Sequence, residues 1–451
     1  MNMHQVTTAR GSTQAIPKPK RFLLPALLTL GLSLLGDAQP VVGQATTELT
    51  FYYPVLVPGP ITELFDQLVS DFTAENPDIQ ITSVYSGSYD DTTNRIQTLL
   101  RGGGELPDLA IIGNQHTAMY VDLDAIVPLD ERIQAEGPDF EADLVPAFML
   151  NTRFRGQTWS IPFQRSTPVM YYNKDMFREA GLDPDSPPTT WAEVIEYAQK
   201  LTQRDSSGNI TTWGIQIPSD IDAWVIQAMA VGNGQPWVNE TDANRVFFDH
   251  PATIGVLQHL RALAEDYQVM PSGLIPWAQT PAEFTSGKAA MIYHTIGSQT
   301  SILNQTEGEF EVGVAFIPGG QDYGVITGGG NFAIFKQSSP EKQDASWRFI
   351  RFLLEPEQMA TWSAGTGYLP VTRSAYEHPI FQEYLKRAPG AAVAFDQLNV
   401  AAKQMAVHDL LRVTDVVKAG IQASITGETS PEEAMQRAQA EADAILSRYQ
   451  D

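Results

Sequence analysis

Between Ile61 and Phe72 the apolar side chains fall at Ile61, Leu64, Phe65, Leu68, Val69 and Phe72. That three-and-four spacing is one face of a helix, and Asn76-Pro77 closes it. Short apolar runs flank it, "ELTFYY" before and "DIQITSVY" after, and both read as strands. A second helix fits 91–101, stopped by Gly102, Gly103 and Gly104, and "LPDLAIIGN" follows as a third strand. Strand–helix–strand–helix–strand predicts a parallel sheet with right-handed crossovers. Ligands of such sheets sit at the carboxyl ends of the strands, here the loops 86–90 and 113–117.

Further along, 161–163 and 169–172 read as one strand continued past a polar break. A proline-rich turn then leads into a helix with Thr190 at its N-cap and Trp191, Val194, Ile195, Ala198 and Leu201 on one face. The stretch 213–234 reads as strand, loop and a helix containing Trp224. "FEVGVAFIPGG" and "GVITGGGNFAIFK" supply two more strands. Helices are expected over 340–355, 356–364 and 431–449, the last with a stripe of Ala434, Ala438, Ala442 and Ile445.

A chain of 451 residues exceeds one ordinary core, so two domains are expected. The formal charge is −24; the first 45 residues carry +3, which leaves the rest near −27. Such a chain repels nucleic acid and anionic lipid, so neither is expected as a partner. Cys is absent, which removes disulfides, thiolate metal sites, cysteine nucleophiles and a lipid-anchor cysteine. Lys18, Lys20 and Arg21 precede "FLLPALLTLGLSLLG", long enough for a signal segment and short for a membrane span. Small residues at Gly43 and Ala45 suit cleavage after Ala45, so a soluble, exported mature protein is expected. Neither H-E-x-x-H, G-x-S-x-G nor a P-loop occurs. The many carboxylates fall on predicted helix faces and turns, so no enzyme, cofactor or metal is expected.

One ordered set of motifs adds to this reading: "STPVMYYNKDMFREAGLDPDSPPTTWAEV", then "GKAAM", "GGGNFAIFK" and "TGYLP". With the leader and the first helix, the set resembles the extracellular solute-binding proteins of ATP-driven importers. Within their sugar-binding group it is most similar to the sn-glycerol-3-phosphate-binding members, with maltose-binding proteins more distant. The resemblance covers nearly all of 46–450. It implies an α/β, two-lobed periplasmic-binding-protein fold (type II, maltose-binding-protein-like) with three hinge crossings, at "IPFQRST", "MIYHTIGS" and "ITGGGNF". The implied lobes are 46–163 with 294–327, and 164–293 with 328–451. Tyr171, Asn173, Lys174 and Asp175 are then a structural turn that caps a strand.

The resemblance also implies ligand contacts at Tyr89, Ser166, Gly329 and Tyr368, at Thr295 where serine is usual, and at Trp224, whose usual companion falls at Ile221. Arg165, at the first crossing, is expected to face the cleft with Ser166. An aromatic ring there stacks on the C–H face of a sugar or on a choline-like cation. Two positions depart from the pattern. The usual glutamate is Asn114, and the phosphate-pairing arginine falls near Thr414, with Arg412 two residues away. Phosphate recognition favours a bidentate guanidinium, so Arg412, Arg165, His294 and His408 are the candidate replacements. The implied function is the substrate-binding component of an ABC transporter, passing a small polyhydroxylated solute to its permease. That solute is glycerol-3-phosphate or a glycerophosphodiester, or else a small glycoside such as a disaccharide or a glucosylglycerol-type osmolyte. A ligand-binding sensor and an exported glycoside hydrolase are the alternatives.

Overall fold

Strand β1 (Thr47–Tyr53) buries Phe51 on one side and Tyr52 on the other, so its sheet needs cover on both faces. The computed structural model describes residues 46–57, 60–220, 223–239 and 241–449; the expected leader and Ile221 lie outside them. Helix α1 (Ile61–Glu75) buries Ile61, Phe65, Leu68 and Phe72, the stripe expected from their spacing. Each such side chain contributes about 1.5–3 kcal/mol on burial. Strand β2 (Ile79–Tyr85) pairs parallel with β1 from Thr47↔Ile79 to Tyr53↔Tyr85. Helix α2 (Tyr89–Gly102) begins in a capping box, where the Ser88 hydroxyl accepts from the Asp91 N–H and the Asp91 carboxylate accepts from the Ser88 N–H. It ends at Gly103, whose φ of +66° suits glycine.

The other strands of the two larger sheets are β3 (Leu109–Gly113), β4 (Ile161–Ser166), β5 (Pro168–Asn173), β6 (Met291–Thr295), β7 (Val312–Ala315) and β8 (Gly328–Ile334). The first sheet has the order β2-β1-β3-β8-β4, and the second β6-β5-β7, which is antiparallel throughout. The run 161–172 is therefore not one strand. It is two strands in different sheets, with only Thr167 between them.

The core divides as strand alternation requires. Phe51, Ile111, Phe332 and Ile334 face one cluster, and Tyr52, Ala110, Ile112 and Ala333 face another. On β5, Val169 and Tyr171 join the first cluster, while Met170 and Tyr172 face a third. That third core is roofed by α3 (Trp191–Leu201), α4 (Trp224–Gly232), and two helices near the C-terminus. Helices α5 (Pro340–Leu353) and α6 (Pro356–Thr366) pack instead with the first sheet; α7 (Leu410–Ile425) and α8 (Pro431–Leu446) complete the third core.

The strand pairing departs from the expected lobe boundaries in two places. Strand β8, assigned from sequence to the second lobe, pairs with β3 and β4 in the first sheet. Strand β7, assigned to the first lobe, pairs with β5 in the second. Apolar periodicity marks a strand but carries no label for the partner it joins. The turn after β5 is structural: the Asn173 side chain accepts from the N–H groups of Asp175 and Met176 and caps the short helix Lys174–Glu179. Lys174 pairs with Asp185 and Glu311.

Candidate ligand-binding cleft

Three buried threonines mark the crossings: Thr167 between β4 and β5, Thr295 at the end of β6, and Thr327 just before β8. Here a cleft opens, with about 500 Å³ of atom-free space continuous with solvent. Its walls come from both halves. Leu56, Val57, Tyr89, Gln115 and Tyr368 line it from the first sheet and its helices; Trp224, Trp277 and Gln404 line it from the side of the third core. Ser166, Thr295, Gly328 and Gly329 line it at the crossings.

Each aromatic is positioned by its element. Tyr89 is the first residue of the capped helix α2, and its hydroxyl donates to Gln164 Oε1 at 2.9 Å. Tyr368 follows Gly367, the φ +95° residue that terminates α6, and lies parallel to Trp362 at 6.1 Å. Burial raises the pKa of both tyrosines, so both hydroxyls stay protonated. Trp224 opens α4 behind Ala223, which holds a left-handed φ of +52°. Trp277 meets it edge-on at 5.8 Å and stacks on His294 at 3.7 Å. The backbone N–H of Trp277 donates to the Asp220 carboxylate. The two indoles make an apolar corner, and the buried Trp224 Nε1 has no hydrogen-bond partner.

The triple glycine of β8 is needed for contact on every residue. A Cβ at Gly328 would lie 2.6 Å from the Trp224 ring, and one at Gly330 2.3 Å from Ile111 and 2.9 Å from Tyr89. Gly329 holds φ +102° and lies against the Gln164 carbonyl. These residues bring the backbone close to both aromatic walls.

Of the nine residues expected at the site, Tyr89, Ser166, Trp224, Thr295, Gly329 and Tyr368 come together on the cleft wall. Three do not line it. Asn114 is fully buried beneath the wall, donates from Nδ2 to the Thr327 carbonyl, and leaves Oδ1 without a partner; its neighbour Gln115 reaches the cleft instead. Arg165 is fully buried in the junction, where Nη1 donates to Asn331 Oδ1 at 2.7 Å and Nη2 to the Thr327 hydroxyl. The reason is strand geometry: successive side chains point to opposite faces, so Arg165 and Ser166 cannot both face the cleft. Burial draws the Arg165 pKa down to about 9, which leaves it charged at neutral pH. Arg412 is half exposed on α7 and pairs with Asp409.

The two histidines also fall elsewhere. His294 lies under Trp277, and burial holds its pKa down to about 3, so it is neutral and no anion receptor. His408 bonds Asp122 and stacks on Tyr449, in a separate groove. Among the described residues, no guanidinium lines the cleft. Gln115 lies in the 113–117 loop expected to meet a ligand, though it was not singled out there; Trp277 and Gln404 were not found from sequence. Trp277 sits in the aperiodic "GLIPWAQTP", and only its tryptophan in a loop near the strand of His294 signals it.

The pattern of the family described as bacterial extracellular solute-binding protein matches residues 67–389. The chain belongs to this family, the solute receptors of ATP-driven importers. It is 29% identical to the sn-glycerol-3-phosphate-binding periplasmic protein UgpB of Escherichia coli K12, over 96% of this chain and 99% of that protein. UgpB of Mycobacterium tuberculosis, solved in complex with glycerophosphocholine, superposes with a TM-score of 0.78 at 25% identity, covering 90% of this chain and 99% of that one. Maltose-bound MalE3 of T. maritima superposes with a TM-score of 0.77 at 20% identity, covering 89% and 100%. The receptor therefore has the maltose-binding-protein-like fold. No helix among its described residues is long and apolar enough to cross a membrane.

Proposed function

We propose that this receptor binds a small neutral polyol or glycoside between its two halves and delivers it, chemically unaltered, to an importer permease. The observation that carries the reading is the make-up of the cleft. Two indoles and two protonated tyrosines present ring faces and hydroxyls, Gln115 and Gln404 present amides, and among the described residues no guanidinium lines the walls. Rings stack on the C–H faces of a sugar, while hydroxyls and amides both donate to and accept from its hydroxyl groups. The receptor works as a monomer in the periplasm after its leader is cleaved behind Ala45. Ligand contacts from both walls favour the closed form, and a shift from mostly open to mostly closed needs about 5 kcal/mol of differential affinity.

Titration calorimetry with trehalose, sucrose, glucosylglycerol, glycerophosphocholine and glycerol-3-phosphate tests the reading. A neutral glycoside is expected to bind most tightly, and the solute is to be recovered intact afterwards. Glycerol-3-phosphate binding more tightly than every neutral solute would overturn it. A second reading, a glycerophosphodiester with a quaternary ammonium, is supported by the indole corner, where a cation sits well over ring faces. The Mycobacterium tuberculosis relative is complexed with a ligand of that kind.

Trp224→Ala is expected to weaken solute binding by about 1–3 kcal/mol. Because the ring also packs on Gly328 and Trp277, the free variant will melt lower as well. Trp224→Phe, which keeps an aromatic face, should recover part of both losses. Affinity unchanged in Trp224→Ala would remove the indole from the site. Arg412→Ala should leave solute affinity within about twofold, since the half-exposed Arg412 only pairs with Asp409 at the start of α7 and such surface pairs are weak. A large loss there, spared in Arg412→Lys, would mark an anionic ligand.

A further inference from the structure

Two loops supply the indole corner, and they are stitched to each other. The Ser219 N–H donates to the Ile275 carbonyl, and the Ile275 N–H donates to the Ser219 hydroxyl, both at 3.0 Å. Two residues on, the Trp277 N–H donates to the Asp220 carboxylate at 2.8 Å. These bonds fix the backbone at 275 and 277 but do not by themselves fix the rotamer of the Trp277 side chain, whose ordering costs entropy. The loop offers little to hold the ring, since Leu274, Pro276, Ala278 and Gln279 are all exposed.

The support comes from a strand instead. His294 lies on β6, paired with Val169 of β5, and its ring stacks on the Trp277 indole at 3.7 Å with 26° between the planes. Trp224 meets the same indole only edge-on, at 5.8 Å. His294 is 1% exposed. A weak polar contact with the Trp277 backbone opposes the fall in its pKa, but neither ring nitrogen completes a hydrogen bond. Buried polar atoms nearly always find a partner, and departures from that rule gather at functional sites. Since neither nitrogen is used, what the chain uses here is the flat face of the ring. The next residue, Thr295, lines the cleft, so this ring stands directly behind the cleft wall.

We propose that His294 is a positioning residue, a platform that holds the Trp277 indole in the orientation in which it receives the solute. The proposal rests on the reading that a solute binds in the cleft. The stack occupies one face of the indole, so the solute meets the opposite face or the edge. A side chain on a paired strand gives the loop tryptophan a precision that its own segment lacks.

Two measurements test this, and the first needs no ligand. The Trp224 and Trp277 indoles are close enough for their transitions to couple, which gives the free protein an exciton couplet in circular dichroism; its loss in Trp277→Phe identifies it. His294→Ala and His294→Leu, the second of which fills space without a flat face, are each expected to lose most of the couplet and to bind solute about tenfold more weakly. His294→Phe is expected to keep the couplet and to bind within about threefold of wild type. Titration calorimetry supplies the affinities, with the tightest binder among trehalose, sucrose, glucosylglycerol, glycerophosphocholine and glycerol-3-phosphate as the probe. Should His294→Ala fail to fold, His294→Leu and His294→Phe carry the comparison. Couplet and affinity must fall together: either one falling alone, neither falling, or His294→Phe behaving as His294→Leu does overturns the platform and leaves the cleft reading standing on Trp224. A wild-type spectrum that Trp277→Phe does not change overturns it as well. If glycerophosphocholine or glycerol-3-phosphate is the tightest binder, the neutral-solute reading fails while the His294 variants still decide the platform. A wild type that binds none of the five overturns both.

Discussion

Gly329→Ala is expected to destabilise the protein by about 2–6 kcal/mol, combining about 1–3 kcal/mol of backbone strain with a similar cost of overpacking. Gly329 holds φ +102°, a region L-residues rarely adopt, and an added Cβ would lie 1.7 Å from the Gln164 carbonyl oxygen. That oxygen belongs to the backbone of β4, the strand β8 pairs with at Gly329↔Arg165, so it cannot swing aside as a side chain would. Gly102→Ala is the control. It sits at the last residue of α2 with nothing within 4 Å of its added methyl, and alanine there should be neutral or slightly stabilising. Urea denaturation of the two variants checks the contrast. Equal midpoints would mean that the chain at 329 does not take the described path. The same substitution should also weaken solute binding, because Gly329 forms part of the cleft wall.

Arg165→Ala is expected to cost about 3–5 kcal/mol, the range for breaking a buried polar network and leaving a cavity. The guanidinium binds Asn331 and Thr327, and Asn331 in turn donates to the Ser160 hydroxyl, which contacts Thr117. Phe148 lies under the cation at 5.4 Å. Arg165 therefore ties together β4, β8 and the loop after β3. Arg165→Met, which fills most of the volume without the charge, should lose less. If Arg165→Ala instead leaves the denaturation midpoint unchanged and abolishes solute binding alone, the residue belongs to the ligand and its structural role is wrong.

Much of the fold was legible because burial repeats with the period of each element. The stripe of α1, the Thr190 cap with Glu193, and the glycine stop after α2 all lie where residue spacing and capping chemistry put them. Partnership between strands was not legible. β7 and β8 are both short apolar runs bounded by glycine, and nothing in their periodicity says which sheet each completes. The cleft was legible where a motif carried it, as at Tyr89 and Tyr368. It was illegible where a loop supplied the side chain, as at Trp277, or where a buried polar residue stood in an irregular stretch, as at Gln404. Arg165 is a different case. Its charge drew attention to the cleft, but the two-residue period of the strand already set it on the opposite face from Ser166.

One splice between the two sheets is as short as a chain allows. Thr167 alone joins β4 to β5, its hydroxyl donating to the Ile326 carbonyl and accepting from Gln397, while the Thr327 hydroxyl accepts from Arg165. With so little slack, one half cannot slide over the other without tearing β-ladder bonds, whereas a few degrees of torsion at each threonine costs almost nothing. Whatever relative displacement the molecule makes is then angular, like a page turning on its binding, and its axis runs along the floor of the cleft.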